Sequence, residues 1–187
     1  MAHPEPPPEI YVQPGESRLV RTPAILRTVL GSCVGVAFWH QRLGIGALLH
    51  PMLPRAPGDA RNRLGPAGAR RYVDFTIREM ADHLERLGAH RNETEVKLFG
   101  GADVLRGAGH GTRPTVGQLN RETALRVLRE EGFGIAASCL GGTRGLHIQF
   151  HTATGEVLLR RLNETPPVRR EPGVHDGYIK NSRSDRR

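Results

Sequence analysis

Two stretches of the chain carry a helical period. Over residues 72–87, Val73, Ile77, Met80, Ala81, Leu84 and Leu87 recur at steps of three and four. Arg78, Glu79, Asp82, Glu85 and Arg86 fill the opposite side, and Gly88 supplies a stop. A second helix is expected over about 121–131, with Ala124, Leu125 and Leu128 inward, Asn120 as N-cap and Gly132 after the end. The remaining apolar residues come in short runs between glycines, which predicts strands at 10–12, 18–22, 33–39, 44–49, 95–99, 134–140, 146–151 and 156–161. Strands at both ends with two helices between them place the chain in the α/β class. The expected architecture is layered mixed or antiparallel sheets packed with two main helices, without the strict alternation of a doubly wound fold. Residues 55–70 carry Pro57, Gly58, Gly65, Pro66 and Gly68 and read as a long surface loop. Residues 1–9 are Pro-rich and 163–187 lack any apolar period, so both are expected to be disordered around a single domain at 10–162.

The segment 28–50 is the most informative. Two apolar runs flank a polar turn at 40–43. If the turn is centred on Gln41 and Arg42, Val34 faces Leu49, Val36 faces Ala47 and Phe38 faces Ile45, giving one apolar side to the hairpin. That register sets Cys33 opposite His50, with Cβ atoms roughly 4.5–5.5 Å apart. The remaining pairs on that side, Gly35 with Leu48 and Ala37 with Gly46, involve small residues and leave room for a groove. An imidazole beside a thiol can take its proton and produce the reactive thiolate. The backbone N–H groups of Gly31 and Ser32, just before Cys33, are candidate donors to an oxyanion. On spacing alone the same pair also fits a core cysteine and a hydrogen-bonded structural histidine.

Charge and composition narrow the alternatives. The chain holds 27 Lys plus Arg against 19 Asp plus Glu, a formal +8. Its arginines are dispersed, aromatics are few and no nucleic-acid motif occurs, so the excess reads as a solvated basic surface rather than a specific nucleic-acid site. No apolar run approaches the roughly 20 residues needed to span a bilayer, and residues 1–9 hold no apolar signal core. A cytoplasmic setting is expected, in which Cys33 and Cys139 are free thiols. Nine histidines are present, but without CxxC or HExxH spacing, so no metal is expected. His147 and His151, four apart, lack a third ligand nearby. Cys139, with no local histidine partner, reads as core.

In several places the chain resembles the CheD-type chemoreceptor glutamine deamidases. The resemblance runs through Ile10-Tyr-Val-Gln-Pro-Gly-Glu16, Leu30-Gly-Ser-Cys-Val-Gly-Val36 and His50-Pro-Met-Leu-Pro54. It resumes at 72–88, Lys97-Leu-Phe-Gly-Gly-Ala102, Val116-Gly-Gln-Leu-Asn120, Gly141-Gly142 and Thr154-Gly155. No single motif suffices, but the series in this order and spacing is specific. The resemblance implies a cysteine-hydrolase fold. It also implies hydrolysis of glutamine side-chain amides on methyl-accepting chemotaxis receptors, through a Cys33 thioester with His50 shuttling protons. Receptor methylesterase activity is compatible with the same acyl-enzyme. No cofactor is implied, and a CheC-type phosphatase is an implied partner. A non-catalytic adaptor that binds receptor or phosphatase is the alternative. The family pattern places a threonine six residues before the cysteine to orient the histidine. Here that position is Arg27, and Thr28 follows it. The pattern also has an arginine close to Leu146, where this chain offers Arg144. Gly100 and Gly101 end a strand without the GK(S/T) of a phosphate loop and read as a tight turn against the active site. Arg27, Gly100, Gly101 and Asn120 are further candidates for substrate or partner contact.

Overall fold

The computed structural model describes residues 5–103 and 113–162. Its strands are β1 (Glu9–Tyr11), β2 (Ser17–Val20), β3 (Ile25–Leu30), β4 (Val34–His40), β5 (Ile45–Leu49), β6 (Glu95–Gly100), β7 (Ile135–Leu140), β8 (Leu146–His151) and β9 (Val157–Arg161). Its α-helices are α1 (Ala60–Ala69), α2 (Val73–Arg86) and α3 (Val116–Glu130). The strands form two sheets, a four-stranded one in the order β1-β3-β8-β9 and a five-stranded one in the order β2-β5-β4-β6-β7. β1–β3 and β6–β7 pair in parallel and the other neighbours are antiparallel, which gives the expected mixed α/β class.

Strand alternation sorts the core into two clusters and three layers. Val34, Val36, Phe38, Ile45, Ala47, Leu49, Val96 and Leu98 lie on one side of the five-stranded sheet and pack with Val73, Ile77 and Leu84 of α2 and Ala124, Val127 and Leu128 of α3. Ala37, Leu48 and Phe99 lie on the other side and pack with Leu26, Leu30, Leu146, Ile148 and Phe150 of the four-stranded sheet. Each side obeys the two-residue period, so a strand of the middle sheet serves both interiors.

Several expectations are corrected. β3 was not anticipated. Its inward row, Ala24, Leu26, Thr28 and Leu30, is buried, but apolar Ile25 and Val29 on the other side blur the alternation in sequence. The stretch 55–70 holds α1 instead of a continuous loop. This helix is broken at Gly65, whose φ of +66° only glycine adopts readily, and it buries only Ala60 and Ala69. Its Gly, Pro and polar content hides a period that scarcely exists. α3 begins at Val116, five residues earlier than expected, and its N-cap is Thr115, whose hydroxyl accepts from the Gln118 N–H at 3.0 Å. Asn120 is therefore not a cap but a mid-helix residue. The hairpin register is also different: Val36 pairs with Leu49, Phe38 with Ala47 and His40 with Ile45. The turn takes in Gly44, at φ +62°, and shifts the pairing by two residues. An even shift keeps every side chain on its own face, so the apolar side was correctly identified even though the partners were not. The expectations for 1–4 and 163–187 lie outside the described residues.

Candidate active site

Three neighbouring strands converge on one point between the two sheets. Thr28 lies on the inward row of β3 and is fully buried. His50 follows β5 and is 1% exposed. Its backbone is fixed from the β2 side, since its N–H donates to the Glu16 carbonyl at 2.9 Å and its carbonyl accepts from Gly15 N–H at 2.7 Å. Cys33, half-buried, immediately precedes β4. Beyond the paired residues, Val34 N–H reaches the Pro51 carbonyl at 3.4 Å, which continues the observed register. His50 then stands opposite Gly35, and Cys33 is its diagonal neighbour on the same face, at a typical Cα separation of roughly 7–8 Å. The direct Cys33–His50 pairing expected from the sequence is thus replaced by a diagonal one. Gly35 stands between them on that face, and Leu30 Cδ1 packs into the room its missing Cβ leaves.

The hydrogen bonds assign the imidazole tautomer. The Thr28 hydroxyl donates to the Val12 carbonyl at 2.8 Å and lies 2.7 Å from His50 Nδ1. A hydroxyl has one proton, and a carbonyl can only accept it. The Thr28 oxygen therefore accepts from Nδ1–H, and the second contact of Nδ1, 3.4 Å to the Val12 carbonyl, is to another acceptor. With the proton on Nδ1, Nε2 carries the lone pair, as a general base for a thiol requires. Burial pushes the Cys33 thiol above its ordinary value, opposed by its own backbone N–H. Burial also pulls His50 below its ordinary value, against the Val12 carbonyl. Both shifts favour a neutral thiol and a neutral imidazole in the free protein, with proton transfer coupled to attack.

The loop before Cys33 is held through its carbonyls. Gly31 O accepts from Ala102 N–H at 2.9 Å and Cys33 O from Gly101 N–H at 2.7 Å. Ser32 O accepts from Asn120 Nδ2 at 2.9 Å, and the same nitrogen donates to Met52 O at 2.8 Å. The described backbone hydrogen bonds leave the N–H groups of Gly31 and Ser32 unused. Gly100 and Gly101 do make the expected tight turn. Gly100 sits at φ +90°, and a Cβ there would come within 2.5 Å of Cys33 O. Arg121 Nη1 donates to Gly101 O at 2.6 Å and holds the turn from outside.

Other candidates fall elsewhere. Arg27, one residue from Thr28, points to the outer side of β3, where it ion-pairs with Glu9 and lies 3.5 Å from His147 Nε2. Cys139 is half-buried on β7 and lines a cavity of about 200 Å³ with Gly141, Gly142, Arg144 and Arg161. Sequence reasoning did not single out Val12, Met52 or Arg121. The first two act through backbone carbonyls, which a residue type does not reveal.

A family model described as CheD chemotactic sensory transduction matches residues 52–161. The probable chemoreceptor glutamine deamidase CheD 2 of Geobacter sulfurreducens is 40% identical over 158 residues, covering 84% of this chain and 92% of that protein. The chain belongs to the CheD family. The probable chemoreceptor glutamine deamidase CheD of Oleidesulfovibrio alaskensis is 38% identical, covering 83% of this chain and 74% of its own length. That of Archaeoglobus fulgidus is 35% identical, covering 81% and 92%. Among solved structures, the hypothetical protein YfiH of Bacillus licheniformis matches with a TM-score of 0.45 and 12% identity, over 68% of this chain and 51% of that one. The CheD family model begins just after His50. Arg27 stands where the CheD pattern has threonine. Position 27 faces out and position 28 faces in, and Thr28 is the residue against His50. No described helix is long and apolar enough to cross a membrane.

Proposed function

We propose that this chain is a chemoreceptor glutamine deamidase in which Cys33 is the nucleophile, His50 the general base and acid, and Thr28 the residue that orients His50. His50 Nε2 takes the thiol proton as Sγ attacks the side-chain amide carbon of a receptor glutamine. The resulting oxyanion is received by backbone N–H groups at Gly31 and Ser32. His50 returns the proton to the departing nitrogen, ammonia leaves, and a Cys33 thioester remains. Water then gives a proton to Nε2 as it attacks the thioester, and glutamate and the free thiol are released. The net change is addition of one water and loss of one ammonia. The observation that carries the reading is the 2.7 Å Thr28–His50 contact, with the Thr28 proton given to Val12 O. It supports a base with its lone pair on Nε2. The names of the CheD relatives supply the substrate class, glutamines of chemoreceptors; that these lie on cytoplasmic receptor helices, and with that a cytoplasmic place of action, rests on family resemblance. A CheC-type phosphatase as partner rests on family resemblance alone.

The test is incubation with a receptor cytoplasmic fragment and site-by-site peptide mass. Conversion of glutamine to glutamate by the wild type, lost in Cys33→Ala and His50→Ala, is the expected result. Receptor binding with no conversion by the wild type favours the adaptor reading.

A further inference from the structure

The backbone link between the two reactive residues is weak at the place where they meet. The β4–β5 ladder is regular from His40–Ile45 up to Val36–Leu49. Toward the active site the remaining described rung is the Val34 N–H to Pro51 O bond of 3.4 Å, long for an amide hydrogen bond. Pro51 has no N–H to return. The N–H and carbonyl of His50 are both taken by the other neighbour, at Glu16 and Gly15. Left to the ladder, the Cys33 loop and the His50 segment would be free to splay.

We propose that Asn120 is the positioning residue that closes this gap and so sets the spacing between the Cys33 thiol and His50. Its Nδ2 carries two protons, and they go to the two sides of the gap. One bonds Ser32 O, adjacent to Cys33, at 2.9 Å, and the other bonds Met52 O, just past His50, at 2.8 Å. The orientation of the amide follows from its partners. Turned over, its oxygen would face two carbonyl oxygens. Among the described residues the buried Asn120 Oδ1 has no hydrogen-bond partner. Both of its donors are used, and an apolar side chain of similar size would leave Ser32 O and Met52 O without them.

The support behind Asn120 is rigid. It is fully buried in α3, and one to two turns further along, Ala124, Val127 and Leu128 are fixed in the helix–sheet core. The first turn of α3 is pressed onto the turn beside Cys33, since a Cβ on Gly117 would lie 2.4 Å from Ala102 O and 2.7 Å from Gly101 O. The helix therefore meets the 101–102 turn through Gly117 and the nucleophile loop through Asn120, which also reaches the histidine segment at Met52 O.

The inference rests on the proposed Cys33–His50 chemistry, but its test has a readout that needs no receptor. In a Cys139→Ala background, iodoacetamide alkylation of Cys33 is followed against pH, alongside kcat and KM on the receptor fragment. Asn120→Leu removes both donors. The expected result is an alkylation rate at neutral pH reduced fivefold or more and kcat reduced tenfold or more, with KM within about twofold. Leu84→Ala, which loosens the same core from α2 rather than α3, serves as the stability control. It is expected to keep the wild-type alkylation profile and kcat per folded molecule. A wild-type alkylation profile in Asn120→Leu, or an equal change in Leu84→Ala, overturns the proposal. If Asn120→Leu does not fold, Asn120→Ser, which keeps one donor, carries the test. An intermediate loss supports the clamp and wild-type reactivity overturns it. If the wild type does not deamidate at all, the proposed function fails while the alkylation contrast still decides the role of Asn120.

Discussion

On the helix side of the five-stranded sheet, β4 and β5 present Val34, Val36, Phe38, Ile45, Ala47 and Leu49, all buried against α2 and α3. On the other side the same two strands and their ends present Cys33, Gly35, Ala37, Gly46, Leu48 and His50. The first side is filled by volume. The second is made thin, so that the four-stranded sheet can approach. A Cβ on Gly35 would lie 2.8 Å from Leu30 Cδ1, and one on Gly46 would lie 2.5 Å from Thr152 Cγ2. Thinness on that side lets Thr28, from the opposing sheet, reach His50 directly. It also keeps the pair largely out of water, which is why the thiol is pushed up and the imidazole down. One strand pair thus gives its odd and even positions to different tasks, stability on one side and reactivity on the other.

The largest expected effect separates the two tasks. Cys33→Ala and His50→Gln should each reduce deamidation by about 10³-fold or more while thermal melting changes less than for a core truncation. Leu98→Ala, on the helix side, should cost about 2–5 kcal/mol in denaturant unfolding while leaving kcat per folded molecule intact. Equal effects of the two kinds of variant on activity per folded molecule would erase the distinction.

Next in size is the tautomer. Thr28→Val keeps the shape but removes the acceptor for Nδ1–H, so kcat should fall roughly 10–100-fold, within what a positioned base supplies. Thr28→Ser should recover most of it. Unchanged kcat in Thr28→Val would mean that Nδ1 finds its acceptor elsewhere.

The pH dependence of stability follows from the same burial. His50 binds its proton less readily folded than unfolded, so it destabilises the fold as pH drops below the ordinary imidazole value of 6.5. Cys33 holds its proton more tightly folded than unfolded, so stability is lost as pH rises above the ordinary thiol value of 9.0. Calorimetry should show a plateau between those limits. His50→Gln should flatten the acid limb and Cys33→Ala the alkaline one. His147, also lowered, chiefly by burial and then by Arg27 and Arg160, adds to the acid limb and is common to both proteins in the comparison.

The smallest effect is expected at Arg27. Its side chain faces away from Cys33, and its exposed pairing with Glu9 is worth about 1 kcal/mol or less. Arg27→Thr, which restores threonine six residues before the cysteine, should leave kcat within about twofold. A tenfold gain there would show that parity misassigns the orienting residue.

Much of this site was legible along the chain. The run from Leu30 to Val36 and the segment opening at His50 marked the proposed nucleophile and base, and an error of two in the hairpin register kept both on one face because faces repeat every two residues. Asn120 was noticed for the wrong reason, as a cap, because a helix start read from apolar spacing cannot see that Val116 and Leu119 lie on an exposed side of α3. β3 was missed because Ile25 and Val29 on its outward row are as apolar as Leu26 and Leu30 within.

Local pattern determined the α/β class, the α2 helix, the apolar side of the hairpin and the placing of Cys33 and His50 on one face of it, since all of these depend on residues near in sequence or on a fixed strand period. Only the tertiary structure decided that Thr28 rather than Arg27 meets His50, that the Val12 carbonyl fixes the imidazole tautomer, and that Asn120 joins Ser32 to Met52. Those contacts link positions 22, 16, 38, 88 and 68 residues apart. Which of them form depends on the packing of separate layers, which no local period encodes.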